Sequence, residues 1–202
     1  MRCSGFTTKS IWKPGITKML LDRDLLIIDV ESNGLWGQPF AVGAVRMTSG
    51  GRVIRSFGVR CNIDEVPDEW VVNNEIEEML EKLPKVDDTG ELMAEFMRWY
   101  SSEAPGRARN TFVDTGFPVD CRFLDLMRMD SGWQAYSPYP LYDISSIIMA
   151  AGEPPNVDRL EYAEELIGEK TGVAHDPLWD AELSGLCAIR ALRKLQALHE
   201  GR

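Results

Sequence analysis

The spacing of apolar and polar residues changes along the chain, and each change marks an element. Three apolar-rich runs lie at 25–31, 40–48 and 52–60, punctuated by Asn33-Gly34 and by Ser49-Gly50-Gly51. Short connections rich in turn residues predict consecutive strands in an antiparallel meander. From 68 the period lengthens. Trp70, Ile76, Met79, Leu80 and Leu83 share a helical face over 68–83, and Pro84 ends the pattern. Leu92, Phe96 and Tyr100 recur at helical spacing and predict a helix over 89–103. A short strand at 107–113, a helix at 117–129, a short strand at 141–143 and a helix to 151 follow. Gly152-Glu153-Pro154-Pro155 breaks the chain before a helix at 157–170. The last helix, 177–198, carries Leu183, Leu186, Ile189, Leu192, Leu195 and Leu198 on a three-residue step that drifts round its surface. Three strands followed by alternating helices and short strands predict an α/β domain with a mixed sheet, its first three strands antiparallel.

Composition narrows the function classes. The 202 residues are 44% hydrophobic, enough for a sizeable core and too many for a disordered chain. No apolar run approaches the roughly 18 residues of a membrane span. Cys3, Cys61, Cys121 and Cys187 are scattered without a C-x-x-C pair, which argues against a zinc knuckle or a disulfide framework and for a reducing, cytoplasmic setting. Residues 1–21 contain no Asp or Glu but include Arg2, Lys9, Lys13 and Lys18, and read as an N-terminal extension ahead of a domain at 22–202. The formal net charge of −10 speaks against a protein that grips duplex DNA along its backbone. It leaves room for contact with a few nucleotides, with bound cations supplying positive charge.

Candidate chemistry gathers at two places. Asp29 and Glu31 close the run Leu-Leu-Ile-Ile-Asp-Val-Glu, and residues i and i+2 of a strand face the same way. Two carboxylates side by side at the end of a buried strand repel each other, and a divalent cation between them relieves both repulsion and burial. The second place is His175-Asp-Pro-Leu-Trp-Asp180. Asp176 suits a helix N-cap and Pro177 the first helical position, so His175 precedes the helix and Asp180 falls in its first turn. Asp120 lies at the start of the helix predicted after the short strand. Taken singly, each of these residues has an ordinary reading as a solvated acid or a loop histidine.

Together and in this order, the motifs resemble the DEDDh branch of the DnaQ-like 3′–5′ exonuclease superfamily. Asp29-Val-Glu31-Ser-Asn-Gly34-Leu35 looks like the first motif, Val119-Asp120-x-x-Phe123-Leu124 the second, and His175 to Asp180 the third. Tyr142-Asp143 resembles the segment between the second and third. Trp70-Val-Val and Met79-Leu-Glu-Lys-Leu-Pro84 are similar to the polyadenylate-specific exoribonuclease AS group. The resemblance implies a ribonuclease-H-like fold and release of 5′-mononucleotides from the 3′ end of single-stranded nucleic acid. Asp29, Glu31, Asp120 and Asp180 would hold two divalent cations, Mg²⁺ or Mn²⁺, with His175 as general base. The narrower likeness implies RNA over DNA and a homodimer; the residues themselves do not distinguish the two sugars. Leu35, Trp36 and Phe117 are candidates to contact the terminal bases, because aromatic stacking tolerates any base. Arg107, Arg109 and Arg122 are candidates for phosphate contact.

The sequence departs from the family pattern ahead of the second motif, where Asp114-Thr-Gly-Phe-Pro stands in place of the usual polar pair. Asp114 therefore rivals Asp120, which is preferred because Cys-Arg-Phe-Leu continues the helix after it. The alternative to an enzyme is a catalytically silent nucleic-acid-binding or protein-interaction module on the same fold. A related two-metal enzyme that cuts internally is a further alternative.

Overall fold

A computed structural model describes residues 20–103, 110–129 and 138–200. Strands β1 (Leu25–Ser32), β2 (Pro39–Met47) and β3 (Val53–Arg60) are followed by the short helices α1 (Glu69–Asn73) and α2 (Ile76–Met79) and a 3-10 turn. Then come α3 (Thr89–Glu103), β4 (Asn110–Val113), α4 (Val119–Met129), β5 (Leu141–Asp143), α5 (Ile144–Ala150), α6 (Arg159–Ile167) and α7 (Pro177–Glu200). The sheet order is β3-β2-β1-β4-β5. β1 pairs antiparallel with β2, and β2 with β3. β1 pairs parallel with β4, and β4 with β5. The expected antiparallel meander and mixed sheet are both present.

Two layers cover the sheet, and the alternation within β1 explains why. Leu26, Ile28 and Val30 pack with Phe96 of α3 and Phe123 of α4. Leu25 and Ile27 point the other way, into a core with Ile148 of α5 and Leu186 and Ile189 of α7. β1 is thus buried on both faces. Asp29 and Glu31 continue the odd-numbered side, the one that α7 covers. Because β1 and β4 are parallel, their carboxyl ends open on one edge of the sheet, where ligand crevices form in such folds.

Gly43 settles how closely α7 approaches. It pairs with Asp29 across β1 and β2. A Cβ there would lie 2.2 Å from the carbonyl carbon of Pro177 and 2.5 Å from the nitrogen of Leu178. Only glycine lets the first turn of α7 rest on the sheet beside Asp29.

Some boundaries differ from those expected on the sequence. The helix expected over 68–83 is broken, because Glu75 takes a left-handed conformation (φ 52°) and α1 ends at Asn73. The strand expected over 107–113 spans Asn110–Val113, with 104–109 outside the described residues. α6 is shorter than expected, from the N-cap Asp158 to Gly168. Of the expected extension, residues 1–19 lie outside the described residues, and Leu20 is buried with its carbonyl accepting from Asn110 Nδ2 at 3.0 Å.

Candidate active site

Four acids and a histidine from four parts of the chain meet at the carboxyl end of β1. Asp29 and Glu31 arrive on the strand. Asp180 comes from the first turn of α7, and His175 from the loop before it. Carboxylate and imidazole atoms of Glu31, His175 and Asp180 lie within 4.8 Å of one another. Asp29, Glu31, His175 and Asp180 line one cleft of about 430 Å³, together with Asp114 and Arg159. Asp120 enters from the first turn of α4. It is 6% exposed, and its Oδ1 is buried without a hydrogen-bond partner.

Local structure explains why each side chain stays in place. Pro177 opens α7 and Asp176 caps it, with Oδ1 accepting from Leu178 N–H at 3.2 Å. His175 adopts a left-handed backbone (φ 68°), uncommon outside glycine. Its N–H donates to Asp180 Oδ2 at 2.6 Å, which ties the loop to the acid. His175 Nδ1 stands 3.8 Å from Glu31 Oε1. Its ring meets the Trp70 indole edge-to-face, centroids 4.7 Å apart.

The four acids are held in an unfavourable electrostatic setting, and burial is the first cause in every case. It lifts the Asp29 carboxyl well above the usual range, and the charges of Glu31, Asp120, Asp180 and Asp114 add to the rise. Glu31 is pushed to about 8 by burial and by Asp180 and Asp176. Asp120 is raised well above its ordinary value by burial, Asp114 and Glu31, against hydrogen bonds from the backbone of Val30 and its own. Asp180 rises to about 6, burial outweighing the bond from His175. Burial lowers the His175 imidazole. Negative charge compressed into a half-dry cleft, with an orphaned carboxylate oxygen, fits a site for divalent cations.

The acids at the margin are treated differently. Asp114 is gripped by Arg159, whose Nε donates to Oδ1 at 2.9 Å and to Oδ2 at 3.1 Å, while a terminal nitrogen donates to Ser145 Oγ at 2.8 Å. Asp176 is paired with Lys82 at 2.5 Å. Asp114 thus lies beside the cluster but already holds a cation.

Beside the acids runs a second, apolar cleft of about 530 Å³, lined by Glu31, Gly34, Leu35, Asp68, Trp70 and Val119 among others. Leu35, Trp36 and Phe117 are 62%, 62% and 67% exposed, a costly arrangement unless something covers them. Trp36 and Phe117 meet edge-to-face at 5.6 Å. Arg122, expected at phosphate, supports this rim instead. Its guanidinium lies 5.5 Å from the Trp36 ring centroid and donates to the carbonyls of Leu35 and Gly37 at 3.3 Å. Arg107 and Arg109 lie outside the described residues. His199 is half-buried at the end of α7, with Nδ1 2.6 Å from the Leu195 carbonyl. The sequence does not pair Trp70 with His175, Asn33 with Asp68, Lys82 with Asp176 or Arg159 with Asp114. Their pairings span long sequence separations that no local pattern signals.

The strand order and the two covering layers define a ribonuclease-H-like fold. The nuclease domain of 3′hExo, a DEDDh family member solved with rAMP, is similar in structure. Its TM-score is 0.61 and its identity 15%, over 84% of this chain and 92% of that one. E. coli exonuclease I in complex with a dT13 oligonucleotide superposes with a TM-score of 0.59 at 17% identity, over 88% of this chain and 42% of that one. A product-bound exonuclease I gives 0.57 at 16% identity, over 88% and 46%. The chain thus spans less than half the length of the exonuclease I chains. No protein-family model and no curated protein matches the sequence.

Proposed function

We propose that the chain is a divalent-metal-dependent 3′–5′ exonuclease of the DEDDh type. It acts on single-stranded nucleic acid, RNA in preference to DNA, and releases 5′-mononucleotides. One observation carries the reading: Asp29, Glu31, Asp120 and Asp180 converge with His175, and the buried Asp120 Oδ1 has no partner. The four carboxylates would hold two cations, Mg²⁺ or Mn²⁺, Asp120 being favoured over Asp114 because Arg159 occupies the latter. The cations, when bound, supply Lewis-acid polarisation of the scissile phosphodiester and lower the pKa of the attacking water.

The chain's own residues do the rest. Burial lowers His175 and keeps its imidazole neutral near pH 7, able to take the proton of the attacking water. The apolar cleft at Leu35 accepts the terminal nucleoside, and Trp36 and Phe117 offer stacking faces to the adjoining base. Hydrolysis breaks the P–O3′ bond, leaving a 5′-phosphate on the released nucleotide and a new 3′-hydroxyl on the chain. A site for a few terminal nucleotides is compatible with a net charge of −10. The scattered cysteines favour a reducing, cytoplasmic setting.

The test is a single strand labelled at either end, as RNA and as DNA, incubated with Mg²⁺ or Mn²⁺. A 3′ label should appear at once as a mononucleotide, whereas a 5′ label should shorten stepwise, faster for RNA. Cleavage of a circular single strand would replace this reading with an internal cutter. A wild-type chain that binds the strand as Asp29→Ala does, with no divalent-dependent release from either, would leave a silent binding module.

A further inference from the structure

We propose that Trp70 is a positioning residue that holds the His175 imidazole over Glu31 and Asp180, an inference that rests on the functional reading above. His175 needs such a strut. It sits in a left-handed loop conformation, and its side chain is 41% exposed. Its backbone N–H is tied to Asp180 Oδ2 at 2.6 Å, whereas its ring stands 3.8 Å from Glu31 Oε1, beyond hydrogen-bond distance. A side chain attached through its backbone alone can occupy several staggered rotamers. A general base must instead be held at hydrogen-bond reach of the proton it takes. The Trp70 indole, crossing the imidazole at 88° with 4.7 Å between centroids, restricts that freedom.

Trp70 is itself anchored from both sides. Its neighbour Val71 is buried in the core, as is Ile76, and this sets α1 with Trp70 turned toward the cleft. From the other side, the first-motif turn hooks the segment before α1. Asn33, 8% exposed, accepts from Asp68 N–H through Oδ1 at 2.6 Å and donates through Nδ2 to the Val66 carbonyl at 3.0 Å. Asp68 Oδ1 in turn accepts from Trp70 N–H at 2.9 Å. A continuous set of contacts runs from Asn33 on the β1 turn through Asp68 and Trp70 to His175. The same indole walls the apolar cleft with Leu35 and Val119, so one ring touches both the nucleoside cleft and the base.

The experiment separates these two duties. Trp70→Leu keeps an apolar wall but removes the aromatic contact, and Trp70→Phe keeps a ring. Steady-state kinetics on a 3′-labelled strand should show kcat lowered about tenfold or more in Trp70→Leu. KM should stay within about twofold, and Trp70→Phe should recover most of the loss. In a His175→Ala background, Trp70→Leu should cost nothing further in kcat, as for two residues acting through one group. Independently of activity, the three-bond couplings across χ1 of His175 in the metal-free protein should report one rotamer in the wild type and an average in Trp70→Leu. Asn33→Ala should move these couplings the same way. A loss confined to KM, a loss that multiplies with His175→Ala, or couplings unchanged in Trp70→Leu each overturns the proposal. An inactive wild type would overturn the nuclease reading alone, and the couplings would still decide whether Trp70 fixes the ring.

Discussion

Two groups of acids lie in or beside one cleft, and the fold treats them oppositely. Beside the cluster, Asp114 is clasped by Arg159 and the buried Asp176 by Lys82. In the interior, Asp29, Glu31, Asp120 and Asp180 face one another, burial and mutual repulsion raise all four, and Asp120 Oδ1 has no partner. A fold that can deliver arginine and lysine to one group could deliver them to the other. Leaving the inner group without a cationic side chain costs stability, because the backbone hydrogen bonds to Asp120 and Asp180 do not outweigh their burial. Such a cost persists where the unpaired charge has work to do, as the proposed binding of cations would give it. Location does not separate the two groups; the missing arginine or lysine does.

The largest effect should come from exchanging one acid in each group. Asp120→Asn keeps the shape but removes the charge from the interior. It should lower kcat about 10³-fold or more, the scale of losing several kcal/mol of metal stabilisation in the transition state. Asp114→Asn, a residue only six positions earlier, should leave most of the activity. Single-turnover nuclease assays on both variants check this. Equal losses would mean that Asp114 also serves the cations and that the two groups are one.

The interior group should also govern stability against pH when metal is withheld. Glu31 titrates at about 8 and Asp180 at about 6 in the folded chain, against 4.5 and 3.8 ordinarily. Between these values the folded state holds more protons than the unfolded one, so stability falls as pH rises. The loss runs from about pH 4 to pH 8 and amounts to several kcal/mol, since each tenfold change in proton affinity corresponds to about 1.4 kcal/mol. Below pH 4 both states are protonated and this contribution is fully present. Thermal melts in a chelator at pH 5 and pH 8 should therefore show a lower Tm at pH 8. Mn²⁺ at about a hundred times its Kd should restore about 2.7 kcal/mol at pH 8. Asp120→Asn should flatten the pH dependence and weaken the Mn²⁺ response. A Tm that climbs with pH in the chelator would remove the basis of the comparison.

Much of this is legible in the sequence, and the gaps have physical reasons. The strand Leu25–Ser32 announces itself because both faces are buried, so its apolar run is continuous up to Asp29. Asp176 and Pro177 mark the start of α7 because capping is local chemistry. Trp36 and Phe117 stand out as candidates because they are aromatic residues in turns flanking the motifs. The helix after Asp120 favours it over Asp114 on the sequence, but the different surroundings of the two are not legible there. The partner of Asp114 is Arg159, beyond the Gly152–Pro155 break, and only the packed fold brings it there. Spacing alone makes Trp70 one member of a continuous apolar face over 68–83. The left-handed Glu75 breaks that helix, and Trp70 turns to a histidine that no sequence period links to it.

The rim aromatics offer a smaller effect on a different quantity. Trp36→Ala or Phe117→Ala removes one of two rings in contact at 5.6 Å, without touching the acids. Each should weaken single-strand binding by about 1–3 kcal/mol, the worth of one stacked base. Fluorescence anisotropy with a short oligonucleotide measures this, and metal affinity followed by calorimetry should not change. If either variant lost metal binding, the rim and the interior would be structurally coupled rather than separate regions.

Effects on stability alone should fall on the two ion pairs beside the cluster, and their ranking sharpens what each pair is for. The Arg159 and Asp114 side chains are 16% and 27% exposed, and Arg159 also donates to Ser145 and to the carbonyls of Val157 and Pro155. Arg159→Ala should cost about 2 kcal/mol, because it strands a half-buried carboxylate beside four others. In a chain of this length that lowers Tm by about 4–8 °C. Lys82 is 56% exposed, so solvent screens its bond to Asp176, and Lys82→Ala should cost less than about 1 kcal/mol. Asp176 keeps its cap on Leu178 without the lysine, so α7 should still begin where it does. Differential scanning calorimetry with and without Mn²⁺ discriminates further. Arg159→Ala frees Asp114 to attract cations, so Mn²⁺ should recover part of its loss, whereas the small loss in Lys82→Ala should not respond. If Mn²⁺ left Arg159→Ala uncorrected, Asp114 would lie too far from the interior acids to join them, and arginine would be holding it for packing alone.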